Sequence, residues 1–115
     1  MTKIKDIISA LNVFEEAANL HGLATEQGDY KTANRNYGKI LKAITYLKEQ
    51  NKIDELLRFS NHSSIGVRIW AGTYLLPKHE GDGLKILEEI LNIKGIHALT
   101  AKTTIDEWGK GNLKL

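Results

Sequence analysis

A single proline, Pro77, stands in a chain of 115 residues. A β-rich protein of this length needs many turns, and turns recruit proline. Between the few breakers run segments rich in Leu, Ile, Lys, Glu and Ala, which favour helices. The chain therefore reads as all-α. At this length it fits one domain over residues 1–115, long enough to bury a core. A hydrophobic share of 42% with 26% charged residues argues for a folded globular chain against a disordered one.

The most hydrophobic segment leads up to that proline. Ser63 and Ser64 can cap a helix, and Val67, Trp70, Ala71, Tyr74 and Leu75 then recur at helical spacing. This predicts a helix over Ser64–Leu76, stopped by Pro77. Upstream, Ile4, Ile7, Ile8, Leu11, Phe14, Ala17 and Ala18 form the stripe of a helix over Lys3–Thr25, with Gly22 a weak point in its last turns. Gly28 supplies a stop and Asp29 a cap. The helix over Tyr30–Glu49 has the cleanest period, with Tyr30, Ala33, Tyr37, Ile40, Ile44 and Leu47 as its expected seam. The short Gly28-Asp29 junction makes these two helices an antiparallel hairpin. A short helix over Ile53–Phe59 follows, with Ile53, Leu56, Leu57 and Phe59 inward. The stretch Pro77–Asp82 reads as a loop. Beyond it lie helices over Gly83–Ile93, with Leu84, Leu87, Ile90 and Leu91 inward, and over Ile96–Trp108, with Leu99, Ala101, Ile105 and Trp108 as apolar contacts.

The last four helices overlay on themselves at a shift of 30 residues: Leu56 falls on Ile86, Leu57 on Leu87, Ile69 on Leu99, Ala71 on Ala101, Thr73 on Thr103 and Leu75 on Ile105. Hairpins too thin to bury a core alone bury it against the next one. With the first hairpin, this predicts an α-α superhelix of about three stacked hairpins. Its concave face is expected to come mainly from the second helix of each.

Val67-Arg68, followed by Ala71 and Leu75, resembles the second helix of a HEAT-type repeat, although Ser63, Ser64 and Ile65 replace the usual Asp and Pro before it. A wider resemblance rests on Gly28-Asp29-Tyr30 with Ala33-Asn34, on Val67-Arg68-Ile69-Trp70-Ala71, and on Ala101 and Ile105 with Glu107-Trp108-Gly109-Lys110-Gly111-Asn112-Leu113. On these residues the chain resembles the DUF2019 family of small bacterial proteins. That resemblance implies a HEAT/armadillo-like superhelix and brings no assigned chemistry, so no catalytic residue is carried over.

The residues themselves point away from catalysis. There is no cysteine, which removes disulfides, thiol nucleophiles and cysteine zinc sites and fits a reducing cytoplasm. The N-terminus carries no long apolar run of the kind a cleaved signal peptide needs, and no stretch approaches the roughly 18 apolar residues of a membrane span. The four histidines, His21, His62, His79 and His97, include no pair at the spacing of a helical metal site. The serines lack a nucleophile-elbow context. The adjacent carboxylates Glu15-Glu16, Glu88-Glu89 and Asp106-Glu107 point about 100° apart on a helix and do not converge. Gly81-Asp82-Gly83 and Gly109-Lys110-Gly111 are too short for a phosphate loop. No metal, cofactor or enzymatic activity is expected.

Three features remain as candidate binding groups. Lys31, Arg35, Lys39 and Lys42 share one helix face, which suits an acidic protein or a phosphate backbone or simply keeps that face in water. Arg68 either holds neighbouring helices together through acidic or carbonyl partners or anchors a partner in the groove. His62 lies in the polar turn just before it. The expectation is a cytoplasmic, non-catalytic protein-protein interaction module. By analogy with other small solenoids it would be an inhibitor or a toxin-immunity protein. The alternative is nucleic-acid or other anionic-partner binding through the basic face, and a small enzyme around His62 and Arg68 comes third. A net charge of +2, from 16 basic and 14 acidic residues, does not by itself select nucleic acid.

Overall fold

Helix α1 (Ile7–Gln27) starts where its first backbone amides find a partner. The Asp6 carboxylate accepts from the Ser9 amide at 2.7 Å, and the Ser9 hydroxyl accepts from the Asp6 amide at 3.0 Å, a reciprocal capping box. This cap sets the start at Ile7, not at Lys3 as the periodicity suggested. The computed structural model describes residues 3–115; Met1 and Thr2, the first residues of the segment read for a signal peptide, lie outside them. At the far end Gly28 adopts φ 70°. Its amide bonds to the Thr25 carbonyl and that of Asp29 to the Ala24 carbonyl, closing the helix in a Schellman motif. Asp29 then caps α2 (Tyr30–Glu49) by accepting from the Thr32 amide and hydroxyl. These hydrogen bonds hold its carboxyl below the usual carboxylate range.

The two-residue junction folds α2 back on α1. Ile40, Ala43, Ile44 and Leu47 close over Ala10, Leu11, Phe14, Ala17 and Ala18, all of them buried. Of the seam expected on α2, Ile40, Ile44 and Leu47 are buried and the N-terminal part is not. Tyr30 is 80% exposed and Tyr37 41% exposed, while Asn36 and Ala43 take the buried positions. Ile53–Phe59 forms a helix of the 3-10 type, and its buried residues Ile53, Leu56 and Phe59 recur at strict intervals of three. Three residues per turn put all three on one face. The Phe59 ring stacks on Phe14 of α1 with centroids 5.6 Å apart.

Helix α3 (Ile65–Leu75) is capped by the Ser64 hydroxyl, which accepts from the Val67 amide at 3.3 Å. It is buried over most of its circumference, as expected of a helix that is apolar nearly all round. It packs on α1, on the 3-10 segment, on α4 (Glu80–Ile90) and on α5 (Ile96–Gly109). Glycines make the closest approaches possible. A Cβ on Gly22 would stand 2.9 Å from the Gly66 Cα, and one on Gly83 would stand 2.6 Å from the Gly72 carbonyl oxygen. Gly22 is therefore the contact point between α1 and α3, not a weak turn.

Helix α4 begins at Glu80, inside the stretch expected as a loop. Glu80 and Asp82 in its first turn complement the positive end of the helix dipole. Gly83, Ile86, Leu87 and Ile90 face inward, and Leu91 lies past the end, 41% exposed. On α5 only His97 and Ala101 are buried, with Ile105 and Trp108 partly so. The Trp108 indole donates to Glu80 at 2.7 Å and ties the end of α5 to the start of α4. The internal overlay holds in burial at Leu56/Ile86 and Ala71/Ala101 and fails at Ile69/Leu99, because Leu99 is 63% exposed.

The result is an all-α fold of packed helical hairpins with no strand among the described residues. Its radius of gyration, 13.2 Å, is that of a globular chain of this length. Most of α3 is buried; its half-buried residues are Ile65, Arg68 and Trp70, of which Ile65 and Trp70 line clefts against α1 and α5. The glycine contacts give a direct test by urea unfolding. Gly66→Ala, whose Cβ would collide with the Ala18 carbonyl oxygen, should lose about 1–3 kcal/mol despite alanine's better helix propensity. Gly38→Ala on the open face of α2 should gain up to about 1 kcal/mol. Equal stability of the two variants would remove the close-packing argument.

Candidate functional site

His62 is held more firmly than its polar turn suggested. The Ser64 amide donates to Nδ1 at 2.9 Å, so the ring proton must sit on Nε2, which donates to Glu15 Oε2 of α1 at 2.7 Å. The ring also stands edge-on to Phe59. With both nitrogens engaged by the protein, the imidazole is not poised to take a proton from a bound molecule. It anchors the turn before α3 to α1. The partner of Glu15 lies 47 residues along the chain.

Arg68 does not hold neighbouring helices through acidic or carbonyl groups. Its Nε is buried without a hydrogen-bond partner among the described residues, and its guanidinium forms no ion pair there. No acceptor in the fold explains it.

The other histidines are dispersed. His21 Nδ1 accepts from the Trp70 indole at 3.3 Å, His97 lies 3.5 Å from Glu26, and His79 is 4.0 Å from Asp82. No group of three or more metal-ligating side chains converges among the described residues. Trp70 packs against His21, Tyr37 and Tyr74. Burial, with Tyr37 adding to it, pushes the Tyr74 hydroxyl up to about 12, so it stays protonated.

The basic stripe is where the structure brings most together. Arg35, Lys39 and Lys42 form one wall of a groove of about 480 Å³, within the range of ligand and peptide sites. Asn12, Val13, Glu16 and Ala17 of α1 form the other wall, and Lys3 and Ile4, ahead of the α1 cap, close one side. The floor is apolar and the rim carries four cations against one carboxylate. None of the four cations makes an ion pair among the described residues. Lys31, the first of the stripe, is exposed outside the groove. The contribution of Lys3, Ile4 and the α1 flank was not visible in sequence. It follows from the antiparallel hairpin, which sets Val13 and Ala17 opposite Lys39.

In comparison with known proteins, the chain matches no family model, no curated protein and no solved structure. No described helix is long and apolar enough to cross a membrane.

His21 gives the protein a defined acid sensitivity. Burial lowers its pKa from the ordinary 6.5, and the neighbouring His97 imidazole lowers it further. The native state therefore keeps His21 neutral, as the bond from Trp70 also requires, while the unfolded chain protonates near 6.5. Below that value the unfolded state binds more protons and stability falls. Unfolding midpoints should drop between pH 7 and pH 5, and the slope should flatten in His21→Asn. An unchanged slope in that variant would show that His21 is not the group responsible.

Proposed function

We propose that the chain is a non-catalytic module that binds another protein through the groove between α1 and α2. One observation carries this reading: four cations surround an apolar floor against the single carboxylate of Glu16, and none of them forms an ion pair among the described residues. Arg58 pairs with Glu55 and Lys102 with Asp106, while Lys52, Lys85 and Lys94 are unpaired too among the described residues; what sets the four groove cations apart is that they ring one apolar floor. Cations left open beside apolar surface attract and orient an acidic partner. The same cations serve the second reading, nucleic-acid binding, but no exposed aromatic side chain lines the groove to stack a base. An enzymatic site at His62 and Arg68 gains nothing from a ring with both nitrogens occupied. The HEAT-like superhelix, the DUF2019 relationship and a cytoplasmic setting remain part of this proposal, as the context in which a small helical binder would act.

The test is affinity capture from native-host lysate with the wild-type chain and with an Arg35→Glu/Lys39→Glu variant. A protein retained by the wild type, released as salt rises and absent from the variant is the expected result. Equal capture by both overturns the groove as the docking surface. Binding to DNA or RNA that falls steeply with salt would transfer the function to the second reading.

A further inference from the structure

One residue at the groove has no explanation within the fold. Gly38 sits in the middle of α2, where glycine costs about 1 kcal/mol against alanine. Two reasons usually retain such a glycine, and both are missing. Its backbone is not left-handed, and a Cβ there would meet nothing within 4 Å. By contrast, Gly22, Gly66, Gly72 and Gly83 are each pressed against a neighbour, and the open glycines Gly81 and Gly109 stand in the end turns of their helices, where the cost is small. Gly38 instead lies at the groove beside Lys39, with Arg35 three residues before it and Lys42 four after it on the same face. It leaves a notch of bare backbone between three unpaired cations. A glycine that nothing inside the molecule requires, placed in the wall of an open groove, fits a requirement for close approach from outside.

The spacing of the cations indicates what approaches. Along α2, Arg35 and Lys39 are separated by about 6 Å of rise and Lys39 and Lys42 by about 4.5 Å. Carboxylates at positions i, i+4 and i+7 of another α-helix have the same two rises. An extended strand repeats on one face every ~6.7 Å and can meet two of the three cations at most. The opposite wall of Ile4, Val13 and Ala17 offers apolar contact, and Glu16 on that wall repels an acidic edge and turns it toward α2. A side-chain-free position at the crossing lets two helix axes approach more closely than larger residues allow.

We propose that the groove receives an amphipathic α-helix of the partner protein, acidic along one edge at i, i+4 and i+7, crossing α2 at Gly38. This rests on the protein-binding reading above and specifies its occupant.

The probes are two hydrocarbon-stapled helical peptides of about 15 residues, long enough for several turns. One carries glutamates at i, i+4 and i+7 beside a leucine face. The other has the same composition with its glutamates distributed around the helix. Fluorescence anisotropy at low salt should show the matched peptide binding about tenfold more tightly, the sum expected of a few exposed ion pairs. Amide shifts in a titration followed by NMR should centre on Val13, Ala17, Gly38 and Lys42. Gly38→Leu fills the notch without changing charge and improves helix propensity, so it should fold as judged by circular dichroism and lose the preference for the matched peptide. Equal binding of the two peptides, or a preference that survives Gly38→Leu, overturns the helical occupant. The groove as docking surface fails separately, when native-partner capture survives the Arg35→Glu/Lys39→Glu change, and the protein-binding reading fails when the wild-type chain retains no protein.

Discussion

The fold depends on how closely α3 can be approached. A short helix buried over most of its surface must be met by several neighbours at once, and ordinary side chains at every interface would hold their backbones too far apart. Gly22 against Gly66 and Gly83 against Gly72 bring α1 and α4 close to the α3 backbone. The larger residues Val67, Ile69, Tyr74 and Leu75 then fill the remaining directions. Apolar burial supplies the driving force, but the glycines decide which pairs of helices form the tight interfaces. Around this axis the other elements have graded roles. The hairpin of α1 and α2 contributes Phe14, Ile40, Ile44 and Leu47 to the large buried side chains, the 3-10 segment adds Phe59 beneath Phe14, and α5 brings a buried polar residue, His97.

Much of this architecture was legible in the sequence where a local rule governs it. The bounds of α2 follow from its period and from Asp29, and the end of α3 follows from Pro77. The cap at Ser64 and the stop at Gly28 form as their residue types suggest. Legibility fails where two rules compete or where the decisive partner is distant. Apolar periodicity carried α1 back to Lys3, but the Asp6–Ser9 box ends it first. Tyr30 and Tyr37 share the period of the buried seam yet lie on its flank, because an amphipathic pattern gives an orientation only to within a side chain's width. Leu91 and Leu99 look like core residues and face outward, since no helix lies beyond α4 and α5 to cover them.

The site shows the same division. The stripe of Arg35, Lys39 and Lys42 is a pattern within one helix and can be read directly. The groove is a relation between two helices and the segment before them, so its second wall emerges only when the hairpin closes. His62 was singled out for its polar turn. Its partnership with Glu15 spans 47 residues and turns a candidate for chemistry into an anchor. Arg68 was expected to find an acceptor, and none is supplied.

The two-residue junction at Gly28-Asp29 carries a consequence for when the groove comes into being. Every residue lining it lies between positions 3 and 42, so all its contacts are local along the chain. Local contacts close with little loop entropy and form early in folding. The groove is therefore complete with the first hairpin and does not wait for α3 to find its place between α1 and α4. In a chain made from its N-terminus, that surface stands formed while the C-terminal helices are still being synthesised.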